Sequence, residues 1–126
     1  MGFHVDVKQR IEEELTRGEA ARQTGFEGRA RVCARRAAGA AIRAYLDSLG
    51  QSTTQLVSAY DLIAYLRDLP GIEPEIRRVG DHLLAQVNEA FDLPVEADLL
   101  AEARWLAQIL ESKIDAENTD RQEREG

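Results

Sequence analysis

One cysteine, Cys33, two lysines and three prolines are all that this 126-residue chain holds of those residue types. A single cysteine excludes an internal disulfide and any zinc site built from several thiolates. No apolar run approaches the ~20 residues that cross a bilayer. The N-terminus carries no secretory apolar segment, so the chain reads as cytoplasmic, without a membrane partner. No six-residue segment alternates apolar and polar side chains, which leaves β-structure without a signal. Surplus positive charge is missing too. A net charge of −7 argues against binding of nucleic acid by the whole surface, and DNA-specific binding is not expected, because that affinity comes from neutralised phosphates.

The residues present describe a globular chain, 44% hydrophobic and 31% charged. This length suits one domain that buries about two-thirds of its unfolded surface. Helical periodicity recurs from end to end. A first helix is expected from Val5 to Gln23, with Val7, Ile11, Leu15, Gly18 and Ala21 on one face. A Thr24-x-x-Glu27 capping box opens a second, which Gly50 ends in a left-handed turn. A Ser52-x-x-Gln55 box opens a short third, striped by Leu56, Ala59, Tyr60, Leu62, Ile63 and Leu66 and ended by Pro70-Gly71. Pro74 suits the first turn of a fourth, striped by Ile76, Val79, Leu83, Val87, Ala90 and Phe91. Pro94 marks a fifth, striped by Leu99, Leu100, Ala103, Leu106, Ala107, Ile109, Leu110 and Ile114. Short connections favour antiparallel neighbours, hence an all-α, up-and-down bundle of about five helices. Residues 1–116 form the single domain. The segment 117–126, "ENTDRQEREG", has no apolar member and is expected to be a disordered acidic tail.

Charge is unevenly spread. Six of the fourteen arginines, and only one acid, lie between Arg22 and Arg43. On a helical wheel the alanines and arginines of "GFEGRARVCARRAAGAAIRAYL" separate. Ala30, Ala34, Ala37, Ala41, Ala44 and Tyr45 share a face, bordered by Cys33, Ala38 and Ala40. A seam this small lets helices approach closely, which makes this the central packing helix. Arg29, Arg36 and Arg43 line one edge, and Arg31 and Arg35 another. Two readings of the Arg29/Arg36/Arg43 strip compete. Its stems cover apolar surface while its heads pair with acids of neighbouring helices, which is expected to take most of it. Alternatively the strip holds phosphate or nucleotide, since guanidinium forks match phosphate oxygens.

The same helix resembles the central helix of HEPN domains. Gly25, Ala30, Ala34, Ala37, Ala38, Ala41, Arg43, Ala44 and Leu46 match a Gly-turn followed by "A-x-x-x-A-x-x-A-A-x-x-A-x-K-A-x-L", with Arg43 in place of Lys. "SAYDLIAYL" is similar to the family's next helix and "EADLLAEARWLAQIL" to its closing one. The likeness covers about Val7 to Ile114. It implies a compact helical bundle, often a homodimer, associated with nucleotides or RNA. Many members are RNA-cleaving toxins or defence effectors in which an Arg followed, after four to six residues, by a His acts with it on the ribose phosphate. A nucleotidyltransferase-type protein would be the partner in a toxin–antitoxin pair.

That spacing occurs once, in Arg77-Arg78-Val79-Gly80-Asp81-His82. On a helix Arg77 and His82 diverge by about 140°. Arg78 and His82, at i and i+4, face together and are the candidate catalytic pair. The chain departs from the family pattern in the residues around the Arg. Two functions therefore stand side by side: a non-catalytic HEPN-like interaction module, and an endoribonuclease using Arg77 or Arg78 with His82. Among single residues, His4 precedes the first helix without evident purpose. Cys33 reads as a small buried thiol, although Arg29 and Arg36 would favour its thiolate. Trp105 covers a helix–helix groove or centres a dimer contact. Glu12, Glu13 and Glu14 lack histidine partners and read as a solvated face, so neither metal nor cofactor is expected.

Overall fold

A computed structural model describes residues 2–85 and 97–125, with side chains as far as 117. The described residues form an all-α bundle without strands: α1 (Val5–Gln23), α2 (Glu27–Ser48), α3 (Ala59–Arg67), α4 (Pro74–Leu84) and α5 (Leu99–Glu125). The central position goes to α2, which packs against α1, α3 and α5. Its Ala30, Ala34, Ala37, Ala38 and Ala41 are wholly buried. Leucine and isoleucine from the other helices fill in over this thin seam: Leu15, Leu62, Ile63, Leu83, Leu100 and Leu106. Contact with α3 is close at Gly39, where an added Cβ would stand 3.1 Å from the Ala59 Cβ.

Helix α1 runs antiparallel to α5. Phe3 N donates to Glu111 Oε2 (2.9 Å), Arg104 pairs with Glu12 (2.7 Å) and Arg22 with Asp98 (3.0 Å). Helix α1 has the predicted bounds, and its start uses His4, whose Nδ1 accepts from Asp6 N at 3.2 Å. Both α1 and α2 end in left-handed glycines, Gly25 and Gly50, at φ 86° and 77°. Each turn closes with paired bonds: Phe26 N to Ala21 O and Gly25 N to Arg22 O, then Gln51 N to Leu46 O and Gly50 N to Asp47 O. These are Schellman closures, open to glycine because it lacks the Cβ that resists positive φ.

Neither expected capping box forms at its expected place. Thr24 closes α1 instead, its hydroxyl donating to the carbonyls of Ala20 and Ala21, while Glu27 pairs with Arg22. Helix α3 opens at Ser58 rather than Ser52, through a reciprocal box with Asp61. The reason lies in α2. Arg43 takes the carbonyls of Thr53 and Leu56, and Thr53 is buried, so the chain there is drawn onto α2 instead of coiling. Helix α3 then packs on α2 with Ala59 beside Gly39 and Tyr60 beside Arg35, and Tyr65 donates to Gln51 Oε1 (2.6 Å). The segment 49–58 thus returns along α2 before α3 begins.

Helix α3 stops at Arg67, ahead of Pro70-Gly71, and its buried residues are Leu62, Ile63 and Leu66. Pro74 sits in the first turn of α4, as expected, but α4 ends at Leu84. Val87, Ala90, Phe91 and Pro94 lie outside the described residues. In α5 the expected stripe is buried except for Ile109, which is half-buried. Its backbone stays helical to Glu125, through the segment whose composition suggests a frayed tail. The Glu, Gln and Arg of that segment are good helix formers and extend a helix already nucleated by packing.

Candidate functional site

Three arginines, Arg10 of α1 with Arg36 and Arg43 of α2, line a cleft of about 340 Å³ between α1, α2 and the start of α3. Gly39, Ala40, Ala44 and Leu62 give it an apolar lining, Val7 and Val57 flank it, and Asp47 lies at one end. Arg10 and Arg36 are exposed, and neither has a hydrogen-bond or ion-pair partner among the described residues. Both guanidiniums line the same cleft, where like charges repel. In a chain with 23 acids it is unusual that no carboxylate neutralises them. Their forks are left to a ligand with planar or tetrahedral oxygens.

The expected strip of Arg29, Arg36 and Arg43 does not act as a unit. Arg29 stacks over Phe26, 5.0 Å from the ring centroid, away from the cleft. Arg43 is committed to the fold: Nη1 donates to Thr53 O and Oγ1 (both 3.1 Å) and Nη2 to Leu56 O (2.7 Å). On the other edge Arg35 donates to Leu83 O (2.7 Å) and Ala85 O (3.1 Å), which closes α4, and lies over Tyr60. Pairing with acids was expected for these heads. Arg35 and Arg43 instead seek backbone carbonyls left without partners where a helix ends or a loop turns. Arg10 was not singled out by sequence, because the basic cluster ends at Arg22 and only the α1–α2 packing carries Arg10 to Arg36.

The Arg78/His82 pair is brought only partly together with other chemistry. His82 Nδ1 lies 2.8 and 2.9 Å from the two carboxylate oxygens of Glu102, so α5 contributes a partner that sequence reading missed. Arg77 turns away and donates to Arg67 O at 3.3 Å. Arg78 has no partner among the described residues. With Glu75, Glu102 and Trp105 it lines a second, more open hollow, which His82 does not line. Trp105 is partly buried and packs against the core.

Glu14 is buried, contrary to its reading as part of a solvated face, because α1 turns it toward α2. Arg17 donates to its Oε1 at 3.2 Å, and its Oε2 has no hydrogen-bond partner. Burial pushes the neighbouring Cys33 thiol above its ordinary pKa, and the Glu14 carboxylate adds to this against the weaker pull of Arg36 and Arg17. The opening toward a reactive thiolate is therefore closed. No cluster of His, Cys, Asp and Glu fit for a metal ion occurs among the described residues.

Fold and site together define an all-α bundle with an arginine cleft on its central helix. Comparison with family models, curated proteins and solved structures finds no match. No described helix is long and apolar enough to cross a membrane.

Proposed function

We propose that this chain is a HEPN-like, non-catalytic interaction module of the cytoplasm that acts as a homodimer and holds a phosphate-bearing ligand, nucleotide or RNA, in the arginine cleft. One observation carries the reading: Arg10 and Arg36 meet on one apolar-lined cleft with no internal partner. Such forks take phosphate oxygens in charge-assisted pairs. Binding of nucleotides by the purified chain is expected to weaken as salt rises and to be lost in Arg36→Glu. Undiminished binding by Arg36→Glu overturns the cleft as the site. For the homodimer, sedimentation of the native chain and of Trp105→Ala is the measurement, and a monomer in both refutes it.

The His82–Glu102 contact favours a second reading, an endoribonuclease with a nucleotidyltransferase-type partner. A carboxylate on Nδ1 orients the imidazole and leaves Nε2 to take a proton from a ribose hydroxyl, with Arg78 one turn away for the phosphate. That reading requires RNA cleavage by the native chain, abolished in His82→Ala. Absence of cleavage in both ends it.

A further inference from the structure

The cleft is not uniformly basic. Along α2 it runs from Arg36 to Asp47, eleven residues apart. At 1.5 Å per residue that is about 16 Å of helix. Arg10 and Arg36 bring unoccupied guanidiniums, and Ala40, Ala44 and Val57 make the middle apolar. Asp47 is fixed at the far end. Its Oδ1 accepts from Thr53 Oγ1 at 3.0 Å. Thr53 is buried, and its Oγ1 accepts in turn from Arg43 Nη1 at 3.1 Å. The other Asp47 oxygen has no hydrogen-bond partner among the described residues. A carboxylate held in this way accepts a hydrogen bond from a ligand and repels a second anion.

We infer that Asp47 selects the ligand: the cleft takes a small phosphate monoester whose apolar body ends in a hydrogen-bond donor, an amine or hydroxyl, in preference to a nucleic-acid strand. This rests on the phosphate-binding reading of the same cleft. The phosphate lies between Arg10 and Arg36, the apolar body along Ala40 and Ala44, and the donor at Asp47. A strand would carry its following phosphates toward that carboxylate and lose affinity there. Arg43 is a positioning residue, since its guanidinium orients Thr53 and through it Asp47.

Calorimetric titration of the full chain with hexyl phosphate and with aminohexyl phosphate tests this. The native chain is expected to bind the amino compound about tenfold more tightly, as a hydrogen bond between charged groups supplies. Asp47→Asn keeps an acceptor for Thr53 and erases the preference, while hexyl phosphate binds at least as tightly as before. Arg36→Glu abolishes binding of both. Equal affinities in the native chain, a preference that survives Asp47→Asn, or tighter binding of single-stranded RNA than of aminohexyl phosphate overturns the role of Asp47 and leaves the phosphate reading standing. Failure of the native chain to bind either ester, or Arg36→Glu binding both unchanged, overturns the two together.

Discussion

Asp98 stands where α5 begins. Its Oδ1 accepts from Ala101 N (3.2 Å) and from Arg22 (3.0 Å). Burial opposes its charge, but the Ala101 N–H and the Arg22 guanidinium outweigh that and hold its carboxyl below the usual range. A lowered folded pKa stabilises the fold above the unfolded value, about 3.9. That contribution is lost as pH falls through the folded value. The half-exposed pair makes it small. NMR titration is expected to place Asp98 below the ordinary aspartate value, and Arg22→Ala to move it upward. Cys33 behaves oppositely: burial and Glu14 keep the thiol protonated. Native protein at pH 7 should react with a thiol reagent far more slowly than unfolded protein, and equal rates would contradict its burial. That Cys33 is buried was legible from the alanine face it borders. That Glu14 is its neighbour was not, because the contact is made across two helices.

At the scale of elements, ends depend on which partner reaches a polar group first. Local sequence pointed to a box at Ser52, with Gln55 three residues on, whereas the box forms at Ser58 with Asp61. Arg43, reaching from α2, takes the Thr53 and Leu56 carbonyls and leaves Ser58 to cap. Chemical denaturation should show a loss of about 1 kcal/mol for Ser58→Ala, as removal of a side-chain cap gives. For Ser52→Ala, exposed and outside any helix, the change should be within about 0.5 kcal/mol. Arg43→Ala should speed hydrogen exchange in 51–58 more than in α2. Uniform protection across both would show that the loop is held by something else. Helix bodies were more legible than their ends: the apolar spacing of α1 and α5 projected buried residues that the bundle does bury.

Over the whole molecule, close packing on α2 organises everything else. Ala41 is wholly buried in the seam. Leucine there forces helices apart, and Ala41→Leu should cost about 1–3 kcal/mol in thermal or denaturant unfolding. The same close approach sets Arg10 of α1 near Arg36 of α2 and so creates the cleft.

The sequence by itself determined the helical class, the five amphipathic segments, the glycine that closes α2 and the central place of the alanine helix. These follow from periodicity and from backbone preferences that act within a few residues. The tertiary structure alone decided which arginines bond to carbonyls and which stay unpaired, where α3 starts, and that His82 meets Glu102. Those outcomes depend on groups 10 to 50 positions apart, such as Arg43 with Thr53, His82 with Glu102 and Arg35 with Ala85. No local rule reaches so far, because the partner of a long charged side chain is chosen by whichever unsatisfied polar group the packed helices bring within its length.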